Sequence, residues 1–127
     1  MSKHKANYDK LVTITVFAAA ISIRGIGATI NADGEAQATA AGAMPDVIFT
    51  EGDVAAGSAV QGATPNGAII SVLAGAAVPV GADVTTDADG KFVPAAAGNA
   101  IVGRAVTAAG AADEFIGIQF VFKGAKA

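Results

Sequence analysis

Few side chains in this sequence have the type and spacing to do chemistry. His4 is the single histidine. A lone imidazole in a polar stretch lacks the second ligand that a metal site needs, and reads as a surface contact. Asp83, Asp87 and Asp89 form the densest group of acids and invite a calcium reading. If Gly90 is aligned with the glycine of a calcium loop, Asp89 and Asp87 fall on ligand positions. Thr85 then takes the first ligand position, and Ala96 takes the place of the bidentate glutamate, so the pattern fails. Asp87-Ala-Asp-Gly90 reads instead as a solvated hairpin turn. Asp113 and Glu114 are adjacent, and neighbouring strand residues point to opposite faces. A glycosidase pair must face one substrate, and a sugar cleft also calls for stacking aromatics, yet the chain has no Trp and one Tyr, Tyr8. Arg24-Gly-Ile-Gly27 and the glycines at 98 and 103 sit among β-formers, without the following helix that would aim its N-terminus at a phosphate. No residue set points to an enzyme, a cofactor or a metal.

Composition limits what must position these groups. The 127 residues fit one compact domain. Hydrophobic residues make up 53% of the chain but aromatics only 6%, so Ala and Val carry the apolar content. Small side chains bury little area each, and 16 glycines add backbone entropy that folding must overcome. Contacts between subunits are therefore expected to supply part of the stability. There is no cysteine, which suits a reducing cytoplasm. The net charge of −3 is unevenly placed. Lys3, Lys5, Lys10 and Arg24 make the start basic, Lys123 and Lys126 make the end basic, and the acids lie mostly between. Basic residues neither line a face nor alternate with aromatics, so nucleic-acid binding is not expected. The apolar run 11–23 after Lys3-His4-Lys5 imitates a signal peptide. However, Thr13 and Thr15 alternate with Val12, Ile14 and Val16 as in a strand, and the run falls short of the roughly 20 residues that span a bilayer. No membrane role is expected.

Punctuation then divides the chain. Residues 1–10 read as an extended arm, and 11–127 as a single β-rich domain. Leu11–Phe17 and Ile21–Ile30 are rich in Val, Ile and Thr and read as strands. Asn31-Ala-Asp-Gly34 is a turn, and the Ala-rich Glu35–Ala41 reads as a short helix stopped by Gly42. Strands are expected at Val47–Thr50, Ala68–Leu73, Val84–Thr86, Lys91–Val93, Ala100–Thr107 and Phe115–Phe122. Asp89-Gly90 between β-formers is the strongest hairpin signal. The stretches Val47–Leu73 and Ile101–Phe120 are loosely alike, each strand–loop–strand, and do not amount to a repeat. Short strands and Gly-rich turns predict an all-β fold, a small barrel or sandwich with at most one or two short helices. The arm is suited to lie as an added strand on another subunit, with Lys3, Lys5 and Lys10 pairing with acids, His4 in surface contact and Tyr8 as the ring anchor.

One stretch resembles a known family. It runs Ala-Gly-Ala-Ala-Val-Pro-Val-Gly-Ala-Asp-Val from Ala74, then Asp-Ala-Asp-Gly-Lys-Phe-Val-Pro-Ala, then Ala-Ile-Val-Gly-Arg-Ala-Val-Thr-Ala-Ala-Gly, and closes on Asp-Glu-Phe-Ile-Gly-Ile-Gln-Phe. This is similar to the bacteriophage capsid decoration, or cement, proteins, and covers a little over a third of the chain. The resemblance implies a β-barrel or "β-tulip" body and a homotrimer on the outer surface of an expanded phage head. It also implies terminal arms that reach the major capsid protein, which here would make Lys3, His4, Lys5, Tyr8 and Lys10 the capsid-binding arm. Gly103-Arg104-Ala105 matches the family's Val-Gly-x-Ala segment and is carried over as a turn and packing element, beside the Asp87, Asp89 and Gly90 hairpin. The expected location is the virion, after assembly in the host cytoplasm. The rival expectations are a head fibre, a tail-tube or surface-layer subunit, or a glycan-binding adhesion module.

Overall fold

The computed structural model describes residues 12–127, all in strands, turns and loops, with no helix among them. The architecture is all-β. Ten strands form: β1 (Thr13–Ala18), β2 (Gly27–Ile30), β3 (Glu35–Ala38), β4 (Val47–Phe49), β5 (Ala59–Ala63), β6 (Ile69–Leu73), β7 (Asp83–Thr86), β8 (Phe92–Pro94), β9 (Gly103–Ala105) and β10 (Phe115–Phe120). The first five close into a barrel in the order β1-β3-β2-β4-β5. The second five form a sheet in the order β6-β10-β9-β7-β8. A parallel bridge between Ala74 and Phe92 joins the two edges of that sheet, and the Gly75 N–H donates to the Phe92 carbonyl at 2.8 Å. The second sheet therefore curls almost shut.

The two halves have one topology. A shift of 56 residues carries Thr13 onto Ile69, Gly27 onto Asp83, Val47 onto Gly103 and Ala59 onto Phe115, the first residues of the matching strands. The pairings match as well. β1 runs parallel to β3 and antiparallel to β5, as the β6 end does to β8 and β6 does to β10. Loop hydrogen bonds repeat at the same shift: Gly25 N–H to Phe49 O matches Gly81 N–H to Ala105 O, both 2.8 Å, and Gly57 N–H to Ala18 O matches Asp113 N–H to Ala74 O, both 2.7 Å. The chain is a tandem pair of five-stranded units. This corrects the expectation of no repeat. Val47–Leu73 and Ile101–Phe120 do overlap at this shift, which carries 47–64 onto 103–120, but the first stretch runs on into β6, which belongs to the second unit. The true shift pairs Asn31-Ala-Asp-Gly34 with Asp87-Ala-Asp-Gly90, Ala40-Ala-Gly42 with Ala96-Ala-Gly98, and Ile14, Val16 and Ala18 with Ile70, Val72 and Ala74.

Three further expectations are corrected. Within Glu35–Ala41, Glu35–Ala38 is strand β3 and there is no helix, because the Asn31–Gly34 turn folds the chain back on β2, with Ile30 opposite Ala36 and Ala28 opposite Ala38. Seven residues are too few for a helix to hold by itself against that pairing. Ile21–Ile30 is a strand only from Gly27. Gly25 has φ +90, and a Cβ there would meet the Leu73 nitrogen at 2.8 Å. The preceding loop is pinned by buried Ser22, whose hydroxyl donates to the Glu51 carbonyl and accepts the Val54 N–H. Finally, Ala59–Ala63 is a full strand, β5, that its Gln61-Gly62 pair conceals in the sequence. A Cβ on Gly62 would lie 2.7 Å from the Val47 Cβ, so a bare backbone is what lets β5 close the barrel.

The two units share a seam. Gly27 N–H donates to Gly90 O, Leu73 N–H to Gly25 O and Gly42 N–H to Thr86 O, at 2.8 to 2.9 Å. Thr86 Oγ1 donates to the Ala40 carbonyl at 2.9 Å. One apolar cluster fills the second unit around Phe92, Phe120, Val72 and Ile118, and takes in Ile48 and Ala63 from the first. The other fills the first unit around Val16, Val47, Phe49 and Val60, and takes in Leu73 from the second.

Candidate functional site

The residues singled out in the sequence divide by location. Lys3, His4, Lys5, Tyr8 and Lys10 lie outside the described residues. Asp87, Asp89 and Gly90 form the β7–β8 turn, where Asp87 Oδ1 accepts the Asp89 N–H at 2.9 Å and the Lys91 N–H at 3.0 Å. That carboxylate closes its own turn. Asn31 Oδ1 does the same for Asp33 and Glu35, at 2.9 and 3.0 Å, in the β2–β3 turn. Gly90 has φ +77, and a Cβ there would meet the Gly27 carbonyl oxygen at 2.6 Å, so the turn is pressed against the first unit. Gly103 starts β9 opposite Phe120. A Cβ on it would collide with the Gln119 carbonyl oxygen.

The acids do not converge. Asp83 starts β7, Asp87 lies beyond its other end, and Asp83 Oδ2 meets Lys126 Nζ at 3.4 Å. Asp113 Oδ1 meets Lys91 Nζ at 2.8 Å, and Glu114 Oε1 accepts the Gly110 N–H at 2.8 Å. Asp113, at φ 68, occupies the left-handed position that Gly57 fills in the first unit, a conformation Asp tolerates better than most residues. Among the described residues no three His, Cys, Asp or Glu side chains come together around a metal-sized space. Lys91 is held above the ordinary lysine value, first by its hydrogen bond to Asp113 and then by that carboxylate's charge; Asp89 and Asp87 add less. A raised lysine contributes stability at neutral pH and loses it as pH rises through the raised value. The pair is partly exposed, so water screens that contribution.

What the structure does assemble is apolar surface. A groove of about 310 Å³ is lined by Ile21, Ile23, Ile26 and Phe49 of the first unit together with Asp89 and Lys91 of the second. Cavities of this size take a small ligand or a few side chains. Val12, Ile14, Phe17, Ile21, Ile23, Ile30, Val80 and Phe122 are all exposed. The sequence reading took Leu11–Phe17 and Ile21–Ile30 as strands without assigning their side chains to a face. For Phe17 a signal existed, because alternation places it on the outward face with Thr13 and Thr15. Arg24 stacks on Phe115, 4.3 Å from the ring centroid.

No protein-family model and no curated protein matches the chain. Among solved structures, the chain is similar to the crystal structure of the head fibre gp8.5 N base of bacteriophage phi29. The TM-score is 0.69 at 24% identity, over 92% of this chain and 99% of that one. At that identity the likeness establishes a shared fold.

Proposed function

We propose that this chain is a structural, non-enzymatic protein of a bacteriophage head, which binds the outer surface of the shell as a trimer, contacts the major capsid protein and stabilises the expanded state. The observation that carries the reading is the fold likeness, over nearly the full length of both chains, to the base of a phage head fibre. The sequence resemblance to decoration proteins points the same way from different residues. The reading calls for no cofactor, nucleic acid or membrane, and places the protein in the host cytoplasm before assembly and on the virion after it. Weak contacts from each copy act together on one trimer, and such linkage raises avidity by roughly 10²–10⁴. Binding only the expanded lattice favours that state by mass action. The basic arm 1–10, with Lys3, Lys5 and Lys10, supplies a salt-sensitive part of the attachment. Deleting it leaves the circular dichroism spectrum unchanged and abolishes binding to heads.

A second reading, the base of a head fibre, is favoured by the identity of the similar structure. Copy number in purified DNA-filled particles separates the two. Copies comparable to the shell subunits support a lattice-wide cement, and a small subset of sites supports a fibre base. Absence from the particles overturns both.

A further inference from the structure

The tandem architecture makes the seam between the units a template for contacts between molecules. On the second unit the residues around β6 and at the end of β7 are buried: Ala68, Ile70, Leu73 and Thr86 are 1%, 6%, 9% and 1% exposed, with Ile48 and Ala63 of the first unit in the cluster of Ala68 and Ile70, Leu73 in the first unit's cluster, and Thr86 bonded to Ala40. The 56-residue shift carries those positions onto Val12, Ile14, Phe17 and Ile30 of the first unit. These are 50%, 44%, 53% and 38% exposed. Surfaces at equivalent positions thus differ in cover: the one on the second unit is buried, and the one on the first is about half exposed. Val12 and Ile14 share one side of the β1 segment and Phe17 points to the other; with Ile30 of β2 they leave four large apolar side chains exposed, more than scattered exposure accounts for.

The opposite side of the seam has its counterpart too. The first unit covers the second with Arg24, Gly25 and the 40–45 segment. The same shift gives Val80, Gly81 and 96–101 on the second unit. Val80 is 64% exposed. We infer that copies of this chain associate head to tail, the Val80–Gly81 side of one molecule's second unit seating on the Val12, Ile14, Phe17 and Ile30 surface of the next molecule's first unit, as the first unit seats on the second within one chain. The backbone bond from Leu73 N–H to Gly25 O inside the chain is not copied between molecules, because Phe17 already pairs with Glu35 in the β1–β3 ladder.

This contact is more polar than the seam it copies. Exposed Arg104 stands where buried Ile48 does. The Gly98 N–H, counterpart of the Gly42 N–H that crosses the seam, already donates to the Lys126 carbonyl of the chain's own tail. The association is accordingly reversible. Being heterologous, it closes into a ring or runs on as a filament, and never forms a two-fold dimer. It gives the trimer of the proposed function an interface. It rests on that reading only there, and it is tested on purified protein with no head present, so failure of head binding and failure of self-association are separate results.

The chain has no cysteine, so single substitutions report the contact directly. Ala59→Cys and Val80→Cys both fall on exposed residues. They occupy the positions equivalent to Phe115 and Arg24, whose side chains touch across the seam. When the two full-length variants are mixed under mild oxidation, the inference expects the mixed disulfide to dominate over either self-pair. In sedimentation velocity, wild type sediments faster as concentration rises, and Ile14→Asp raises the dissociation constant about tenfold or more. Because Ile14 is exposed, an unchanged melting temperature at low concentration confirms that the variant folds. A wild-type chain that stays monomeric to about 0.1 mM overturns the inference. So does a dominant Ala59→Cys self-pair, which would mark a two-fold contact, and so does association indifferent to Ile14→Asp.

Discussion

At the scale of single residues, the duplication explains an anomaly. Thr85 Oγ1 is buried without a hydrogen-bond partner. Its counterpart Thr29 has one, the Thr39 hydroxyl, 3.0 Å away. The residue equivalent to Thr39 is Ala95, so the second unit kept one member of the pair and lost the other. A buried hydroxyl with no partner is destabilising, and an isosteric apolar side chain removes the cost. Thr85→Val is therefore expected to stabilise by about 1 kcal/mol, raising the thermal midpoint by roughly 3–6 °C; calorimetry of wild type and variant side by side checks it. Gly103 is the opposite case. Any Cβ there meets the Gln119 carbonyl oxygen, a backbone atom of the paired strand, and backbone cannot turn aside as a long side chain can. Gly103→Ala should cost roughly 2–4 kcal/mol, seen as a lower urea midpoint with an unchanged slope. Neither outcome is legible in the sequence, because both depend on which residue the fold places opposite.

At the scale of elements, what was legible followed the strength of the local signal. β-branched residues gave β1 and β6, and Asp-Gly gave the β7–β8 hairpin; Asn31–Gly34 was legible as a turn but not as the β2–β3 hairpin it closes. The missed strands β3 and β5 have Ala, Gln and Gly, residues with little strand preference. Their state is set by the partner strand that the turn or the barrel supplies. The two hairpins share one device, a side-chain carbonyl or carboxylate oxygen at the first turn position accepting two backbone N–H groups. Since Asn31 serves in one turn and Asp87 in the other, Asp87→Asn should leave stability nearly unchanged. Asp87→Ala loses both bonds and should cost about 1 kcal/mol, as loss of comparable side-chain caps does. A pair of chemical denaturation curves separates these outcomes. An equal loss in both variants would mean that the carboxylate charge, through Lys91, matters more than the turn bonds.

At the scale of the whole molecule, the duplication was present in the sequence and hidden by its composition. The matched positions Gly25 and Gly81, Ala-Asp-Gly at 32–34 and 88–90, and Ala-Ala-Gly at 40–42 and 96–98 all stand at one spacing. In an Ala- and Gly-rich chain such matches also arise at many other spacings. The strand boundaries of the structure select the right one. The exposed residues of β1 and β2 were only partly legible: alternation marks Phe17 as outward, whereas Ile14 and Ile30 have the character of core and are exposed only because nothing among the described residues covers that end of their strands. Small Ala- and Val-rich units like these gain limited stability from their own interiors. Burying Ile14, Phe17 and Ile30 against another copy should therefore add measurably to it. Association that occurs only in the folded state makes the melting temperature depend on concentration. Wild type should melt at rising temperature across a hundredfold range of protein concentration. Ile14→Asp should melt at one temperature throughout, close to that of dilute wild type. A wild-type midpoint that ignores concentration would mean that each chain is as stable alone as in company, and that the exposed apolar face contributes nothing to the fold's persistence.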